Sequence, residues 1–171
     1  GPSIDKLYQD MKTLKKINLS QNQSNLSLKK NIILNKVDYI YPNASRTTLK
    51  NIELIIPTKS TVGLIGATGS GKTTIVDIIL GLLEPKNGFL KVDGKIITQQ
   101  NLRSWQQTIG YVPQNINLID DTVLANIAFG IDFKDINKER VEQVSKIANL
   151  HNFVINELPK QYQTTIGERG V

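Results

Sequence analysis

The alternation of apolar and polar positions predicts several strands in the first two thirds of the chain. NIILNKVDYIYP (31–42) and LKNIELIIP (49–57) are rich in β-branched residues and are separated by the turn NASRTT. The short apolar run TVGLI (61–65) precedes a glycine, which is the pattern of a buried strand. GFLKVDGKII predicts a hairpin turning at Asp93-Gly94, and TIGYVPQ a strand ending at Pro113.

Apolar spacing of three and four residues predicts helices between and after these strands. One helix is expected from Lys72 to Leu83, and NLRSWQQ forms a short one. Beyond Thr122 the chain reads as mostly helical, through VLANIAF, KERVEQVSKIANL and HNFVINEL, with Asn137 as a cap of the middle helix. This mixture predicts an α/β fold with a central parallel element.

The first thirty residues differ from the rest of the chain in their sequence pattern. PSIDKLYQDMKTLKK predicts an amphipathic helix capped by Ser3, with an apolar stripe of Ile4, Leu7, Met11 and Leu14. Residues 18–30 are polar and low in complexity, which is typical of a linker. We expect a helix that is tethered flexibly to the domain that follows.

Composition narrows the function classes. Hydrophobic residues make up 39% of the 171 residues and charged residues 21%, as in an ordinary folded domain. The net charge of +6 comes from lysines spread along the chain, so a solvated surface is favoured over a nucleic-acid site. The absence of cysteine excludes disulfides and cysteine-ligated metals, and no apolar run reaches the ~20 residues of a membrane helix. We therefore expect the chain as given to be soluble.

The strongest chemical signal is GATGSGKT, which matches the phosphate-binding pattern G-x-x-x-x-G-K-[ST] between a predicted strand and a predicted helix. The glycines allow the backbone to curl with its N–H groups inward, and the helix start favours an anion. Lys72 adds a full charge for the outer phosphates, and the Thr73 hydroxyl is placed to ligate Mg²⁺. The predicted nucleotide site comprises Gly66, Ala67, Thr68, Gly69, Ser70, Gly71, Lys72 and Thr73.

A second motif points to guanine and is rejected. Asn35-Lys36-Val37-Asp38 matches N-K-x-D, but it precedes the phosphate loop, whereas in ordinary GTPases it follows. A circularly permuted GTPase would also need D-x-x-G downstream, and no aspartate after Thr73 has a glycine three residues later. We interpret the match as an accident within a strand.

Taken in order, the motifs resemble the nucleotide-binding domain of ATP-binding cassette (ABC) transporters. These are the phosphate loop, YVPQ, DDTVLANIAFG and GERG. The resemblance implies a P-loop NTPase core with an antiparallel β subdomain and the start of an α-helical subdomain. It covers residues 31–171, of which 31–97 would form the β subdomain and phosphate-loop core, and 98–171 the Q-loop and helical subdomain.

The resemblance also implies roles for single residues. Tyr41 matches the aromatic that stacks on adenine, a contact worth ~1–3 kcal/mol. Thr74 matches the second hydroxyl of the phosphate loop, which contacts the α-phosphate. Gln114 matches the Q-loop glutamine, which in the family reaches Mg²⁺ and the attacking water and links the site to the transmembrane domain. ATP and Mg²⁺ are the implied ligands.

TTIGERG (164–170) resembles the loop TEVGERG of exporter-type members, with Thr165 replacing the glutamate of the pattern. In that group Glu168 would face the coupling helices of the transmembrane domain. The segment 1–30 fits the stretch that joins the last transmembrane helix to the cassette in a fused half-transporter, although a simple capping helix is an equal alternative. The implied partners are this transmembrane domain and a second cassette in a head-to-tail dimer, at the cytoplasmic face of a bacterial plasma membrane.

Several family elements are not found within these residues. The LSGGQ signature, the acidic Walker B motif and the switch histidine are missing, and INLIDD comes closest to Walker B but is interrupted by Asn117. We therefore expect a fragment, cut before the signature, that binds ATP and hydrolyses little alone, within an ATPase that drives export. The alternatives are a soluble ABC-type ATPase of DNA maintenance or translation, and a regulatory protein that only binds nucleotide.

Overall fold

The computed structural model describes residues 26–42 and 44–167, and the chain divides into two compact units between Gly110 and Tyr111. The helix predicted at the N-terminus, most of the linker and Glu168 lie outside the described residues. Within the described part, no helix has the length and apolar character needed to cross a membrane.

The first unit is built on an antiparallel sheet of four strands. They are β1 (Asn31–Tyr39), β2 (Leu49–Pro57), β3 (Asn87–Val92) and β4 (Lys95–Ile96), in the order β2-β1-β3-β4. The strand predicted over 49–57 is confirmed, and the strand predicted over 31–42 is confirmed as far as Tyr39, where β1 ends. The hairpin at Asp93-Gly94 is confirmed too, and its φ values of 48° and 85° are those of a primed turn, whose twist matches the flanking strands.

Two helices cover one face of this sheet. Helices α1 (Lys72–Ile79) and α2 (Leu102–Gln106) contribute Ile78 and Trp105 to a core with Leu34, Val37, Leu90 and Val92. The indole N–H of Trp105 donates a hydrogen bond of 2.7 Å to the carbonyl of Ile79, so the two helices are joined by a polar contact as well. Full burial of each large aliphatic side chain contributes about 1.5–3 kcal/mol.

Helix α1 is shorter than predicted. It ends at Ile79 instead of Leu83, because Gly81 adopts a φ of 69°. The N–H of Gly81 then bonds the carbonyl of Ile78 at 3.0 Å, and the N–H of Leu82 bonds that of Asp77 at 2.8 Å. This is the Schellman pattern, which satisfies the last helical carbonyls and stops the helix.

The strands predicted over 61–65 and 108–113 are wrong for the described residues. Both segments are irregular, and the side chains of Ile65 and Val112 are 99% and 83% exposed. A buried strand needs backbone partners on neighbouring strands, and none of the described residues supplies them here. Every strand pairing in the described part is antiparallel, so the predicted central parallel element is not found there.

The end of the predicted linker is fixed to the first unit. The side chain of Leu26 is buried in the core. The carboxylate of Asp93 accepts the backbone N–H groups of Lys29, Lys30 and Asn31 at 2.5, 2.8 and 3.0 Å. Desolvation by itself would raise the pKa of the Asp93 carboxyl. The three N–H donors stabilise the carboxylate more strongly, so the pKa of Asp93 lies below its usual value. The expectation of a flexible linker up to Lys30 is therefore wrong for residues 26–30.

Replacing Asp93 with asparagine is expected to release this segment locally. The amide presents one oxygen and one NH₂ group in place of two acceptor oxygens, so the N–H groups of residues 29–31 lose part of their bonding. Hydrogen exchange, read by mass spectrometry, should accelerate at residues 29–31 while the rest of β1 keeps its protection. Asp135→Asn, at an exposed site of the other unit, is the control. Unchanged exchange in Asp93→Asn would refute the anchoring role.

The second unit is mostly helical from Thr122 onward in its described residues, as predicted. It contains α3 (Val123–Ile127), α4 (Lys138–Ile147) and α5 (His151–Glu157), together with the strand pair β5 (Asp121–Thr122) and β6 (Thr165–Ile166). The side chain of Asn137 accepts the N–H of Arg140 at 2.9 Å, which confirms the predicted cap. One apolar cluster of this unit comprises Val123, Val154, Leu158 and Ile166.

Candidate nucleotide-binding site

The phosphate-loop sequence leads directly into helix α1. Gly71 is the N-cap of α1 and has a φ of 90°, and Gly69 has a φ of 79°. Residues that carry a Cβ rarely adopt such φ values. A Cβ on Gly71 would lie 2.6 Å from Leu49 Cδ2, so the loop packs closely against the first residue of β2. No side chain accepts a capping hydrogen bond from the first N–H groups of the helix.

The side chain of Lys72 is hydrogen-bonded to the backbone of this loop. Its Nζ donates hydrogen bonds of 2.8 Å to the carbonyls of both Gly66 and Ala67. The N–H of Ser70 also bonds the carbonyl of Ala67, at 3.2 Å. The loop is thus folded around its own ammonium group, which places a full positive charge beside the start of α1.

The two threonines that follow have different surroundings. Thr73 is exposed, so its hydroxyl is accessible to a metal ion or a phosphate. Thr74 is only 4% exposed, and its Oγ1 lies 3.1 Å from the hydroxyl of Tyr41. The structure therefore brings Tyr41 to the helix that carries the phosphate loop, although 33 positions separate the two residues in sequence.

Sequence reasoning missed the residue that supports Tyr41. The ring of Tyr39 packs against that of Tyr41 edge to face, with centroids 5.0 Å apart and an interplanar angle of 90°. Tyr39 is buried, whereas Tyr41 is 39% exposed. The signal was present in YIY, because side chains two positions apart in an extended chain point to the same side.

The remaining predicted site residues, Gln114 and Glu168, lie outside the first unit's described residues. Gln114 belongs to the other unit, where it lies exposed in an irregular segment. Glu168 lies outside the described residues.

The rejected guanine motif has a structural role. The carboxylate of Asp38 accepts the backbone N–H of Asn51 at 2.6 Å and the side-chain amide of Asn87 at 3.0 Å. The N–H of Asn51, followed by the amide of Asn87, lowers the pKa of Asp38. Asp38 thus ties β1 to both neighbouring strands, which agrees with the interpretation of NKVD as strand sequence.

The donors at the loop suit a polyphosphate. They are backbone N–H groups at a helix start and one ammonium group, and both kinds bind anionic oxygens. A family model described as "ABC transporter" matches residues 49–169. The chain belongs to the ABC transporter family. The resemblance seen in its motifs is confirmed, and so is the P-loop NTPase fold class.

Similar proteins include a flippase, a human ATP-binding cassette protein and an ABC exporter. An ATP-dependent lipid A-core flippase of Pectobacterium atrosepticum is 35% identical over 80% of this ABC chain, and human ATP-binding cassette sub-family B member 5 is 34% identical over 84%. The structure of a bacterial Atm1-family ABC exporter with ATP bound superimposes with a TM-score of 0.81 at 26% identity and covers 98% of the chain. The chain spans 23%, 11% and 29% of these three proteins, respectively.

Proposed function

We propose that this chain is the ATP-binding part of an ABC exporter, in which ATP binding and hydrolysis drive a substrate across a membrane. The observation that carries the proposal is the glycine loop before α1, where helix N–H groups without a side-chain cap and the Lys72 ammonium lie together. The domain assignment follows, with residues 31–171 as the N-terminal part of the cassette and 1–30 as a helix and linker from a transmembrane domain.

Each site residue takes a part in this proposal. The backbone N–H groups of residues 66–74 and the Lys72 ammonium would hold the phosphates, and Tyr41, which is 39% exposed, would stack on the base. Thr73 and Gln114 would hold Mg²⁺, which neutralises charge on the phosphate oxygens when bound. Gln114 and Glu168 would contact the transmembrane domain.

The export function rests on the named relatives. A lipid A-core flippase and an Atm1-family exporter both act at membranes, and neither name fits a soluble ATPase of DNA maintenance or translation. The proposed partners are therefore a transmembrane domain and a second cassette in a head-to-tail dimer, at the cytoplasmic face of the membrane.

Calorimetric titration of the chain with ATP in the presence of Mg²⁺ tests the binding site. We expect saturable binding to one site per chain, and weaker binding of AMP, which lacks the outer phosphates that Lys72 contacts. Equal affinity for ATP and AMP would contradict the assignment of the loop to the outer phosphates. Absence of any ATP binding would contradict the proposed function itself.

The chain by itself is expected to release no phosphate from bound ATP. Its 171 residues contain neither the signature nor the acidic motif that would activate water in this family. Phosphate release at saturating ATP and Mg²⁺ should equal that of Lys72→Ala, which controls for contaminating ATPases. Release that depends on Lys72 would show that the chain completes a catalytic site alone.

A further inference from the structure

One contact at the candidate site is not explained by nucleotide binding through the loop and the ring alone. The hydroxyl of Tyr41 and the Oγ1 of Thr74 lie 3.1 Å apart, between a loop that follows β1 and the first turn of α1. Stacking on a base requires only the face of a ring. Stacking on a base therefore does not account for the hydroxyl of Tyr41 or for its contact with Thr74.

The Tyr41 ring is restrained at two points. Its edge-to-face contact with the buried Tyr39 limits its tilt, and the hydrogen bond to Thr74 limits its rotation about the side-chain bonds. The backbone carbonyl of Tyr41 also accepts the N–H of Ala44 at 3.0 Å, which restrains the main chain at Tyr41. An exposed aromatic side chain is thereby kept in one position.

The other partner is rigid. Thr74 lies within α1 and is 4% exposed, so its side chain cannot follow a moving tyrosine. The same helix begins at the phosphate loop. A hydrogen bond to Thr74 therefore sets the position of the ring relative to the loop that would hold the phosphates.

We infer that the Tyr41–Thr74 hydrogen bond positions the Tyr41 ring for a nucleoside whose phosphates occupy the loop. Tyr41 contacts the base, and Thr74 acts on the base through Tyr41, in addition to any contact with phosphate. This inference rests on the proposed function. It goes beyond that proposal by assigning a purpose to the hydroxyl, which makes tyrosine different from phenylalanine at this position.

Tyr41→Phe is the direct test, since it keeps the ring and removes the hydroxyl. ATP affinity should fall about two- to tenfold, the range expected for one hydrogen bond that pre-orders a site. Affinity for inorganic tripolyphosphate, which has no base, should stay within error of the parent. Tyr162→Phe is the matched control, because it removes the tyrosine hydroxyl that lies 2.8 Å from His151 in the other unit. ATP affinity of this control should not change.

A double-mutant cycle identifies the partner. In a Thr74→Val background, Tyr41→Phe should cause no further loss of ATP affinity, whereas in Thr74→Ser, which keeps a hydroxyl, it should still cause one. Thermal unfolding of each variant confirms that the comparison is made between folded chains.

The outcomes separate this inference from the proposed function. If the parent chain binds neither ATP nor tripolyphosphate, the proposed function fails and the inference fails with it. If the parent binds ATP and Tyr41→Phe binds it equally well or more tightly, only the positioning role is refuted. An equal loss for ATP and tripolyphosphate in Tyr41→Phe also refutes it, because the hydroxyl would then support the loop and not the ring.

Discussion

Replacing Lys72 with alanine is expected to weaken ATP binding by roughly ten- to a hundredfold. The ammonium is held at the phosphate loop by hydrogen bonds of 2.8 Å to the carbonyls of Gly66 and Ala67. Its charge-assisted contacts with phosphate would be worth about 1.5–3 kcal/mol, and alanine provides neither the charge nor the donors. Calorimetric titration with ATP and Mg²⁺ measures the change.

Lys95→Ala is the matched control for this experiment. It removes the same charge from an exposed position in β4, so it reports the effect of net charge alone. Its ATP affinity should remain near that of the parent, because Lys95 is not among the proposed site residues and salt screens an exposed charge. If Lys72→Ala bound ATP as tightly as Lys95→Ala, the phosphate-loop assignment would be wrong.

Replacing Gly88 with alanine is expected to lower the free energy of unfolding by about 3 kcal/mol. Gly88 is the second residue of β3, at the exposed end of that strand, and has a φ of 76°. It lies opposite an irregularity in β1, where Lys36 has a φ of 48°. A Cβ at this position would overlap the carbonyl oxygens of Asn35 and Lys36. Because both atoms belong to backbone, relief requires the strands to separate and not a side chain to rotate.

Gly94→Ala separates the two components of that cost. Gly94 has a φ of 85°, so alanine there carries the same backbone penalty, about 1 kcal/mol, but its Cβ would meet no atom within 4 Å. Urea unfolding followed by circular dichroism should show a clearly larger loss for Gly88→Ala than for Gly94→Ala. Equal losses would mean that the irregular part of β1 adapts and that the overlap is not a constraint.

Local sequence patterns predicted the parts of the fold that depend on neighbours in the chain. Strands β1 and β2, the turn at Asp93-Gly94 and the cap at Asn137 follow from alternation, turn propensity and side-chain hydrogen bonding over three residues. The order of the motifs also predicted the family, because that order can be read from the sequence alone.

Local pattern misled where a segment needs distant partners. The apolar run of 61–65 has the composition of a buried strand, yet a strand exists only where another strand supplies hydrogen bonds. The length of α1 was overestimated for a related reason. Apolar spacing continued past Ile79, but the left-handed conformation of Gly81 ended the helix.

The sequence by itself determined that this chain has a phosphate loop, a strand-rich first part and a helical second part, since these follow from residue order. Only the tertiary structure decided which distant residues meet. It placed the Tyr41 hydroxyl on Thr74, the Asp93 carboxylate on the backbone of residues 29–31, and Gly88 against the carbonyls of β1. Such contacts depend on strand register and packing, which no short window of sequence contains.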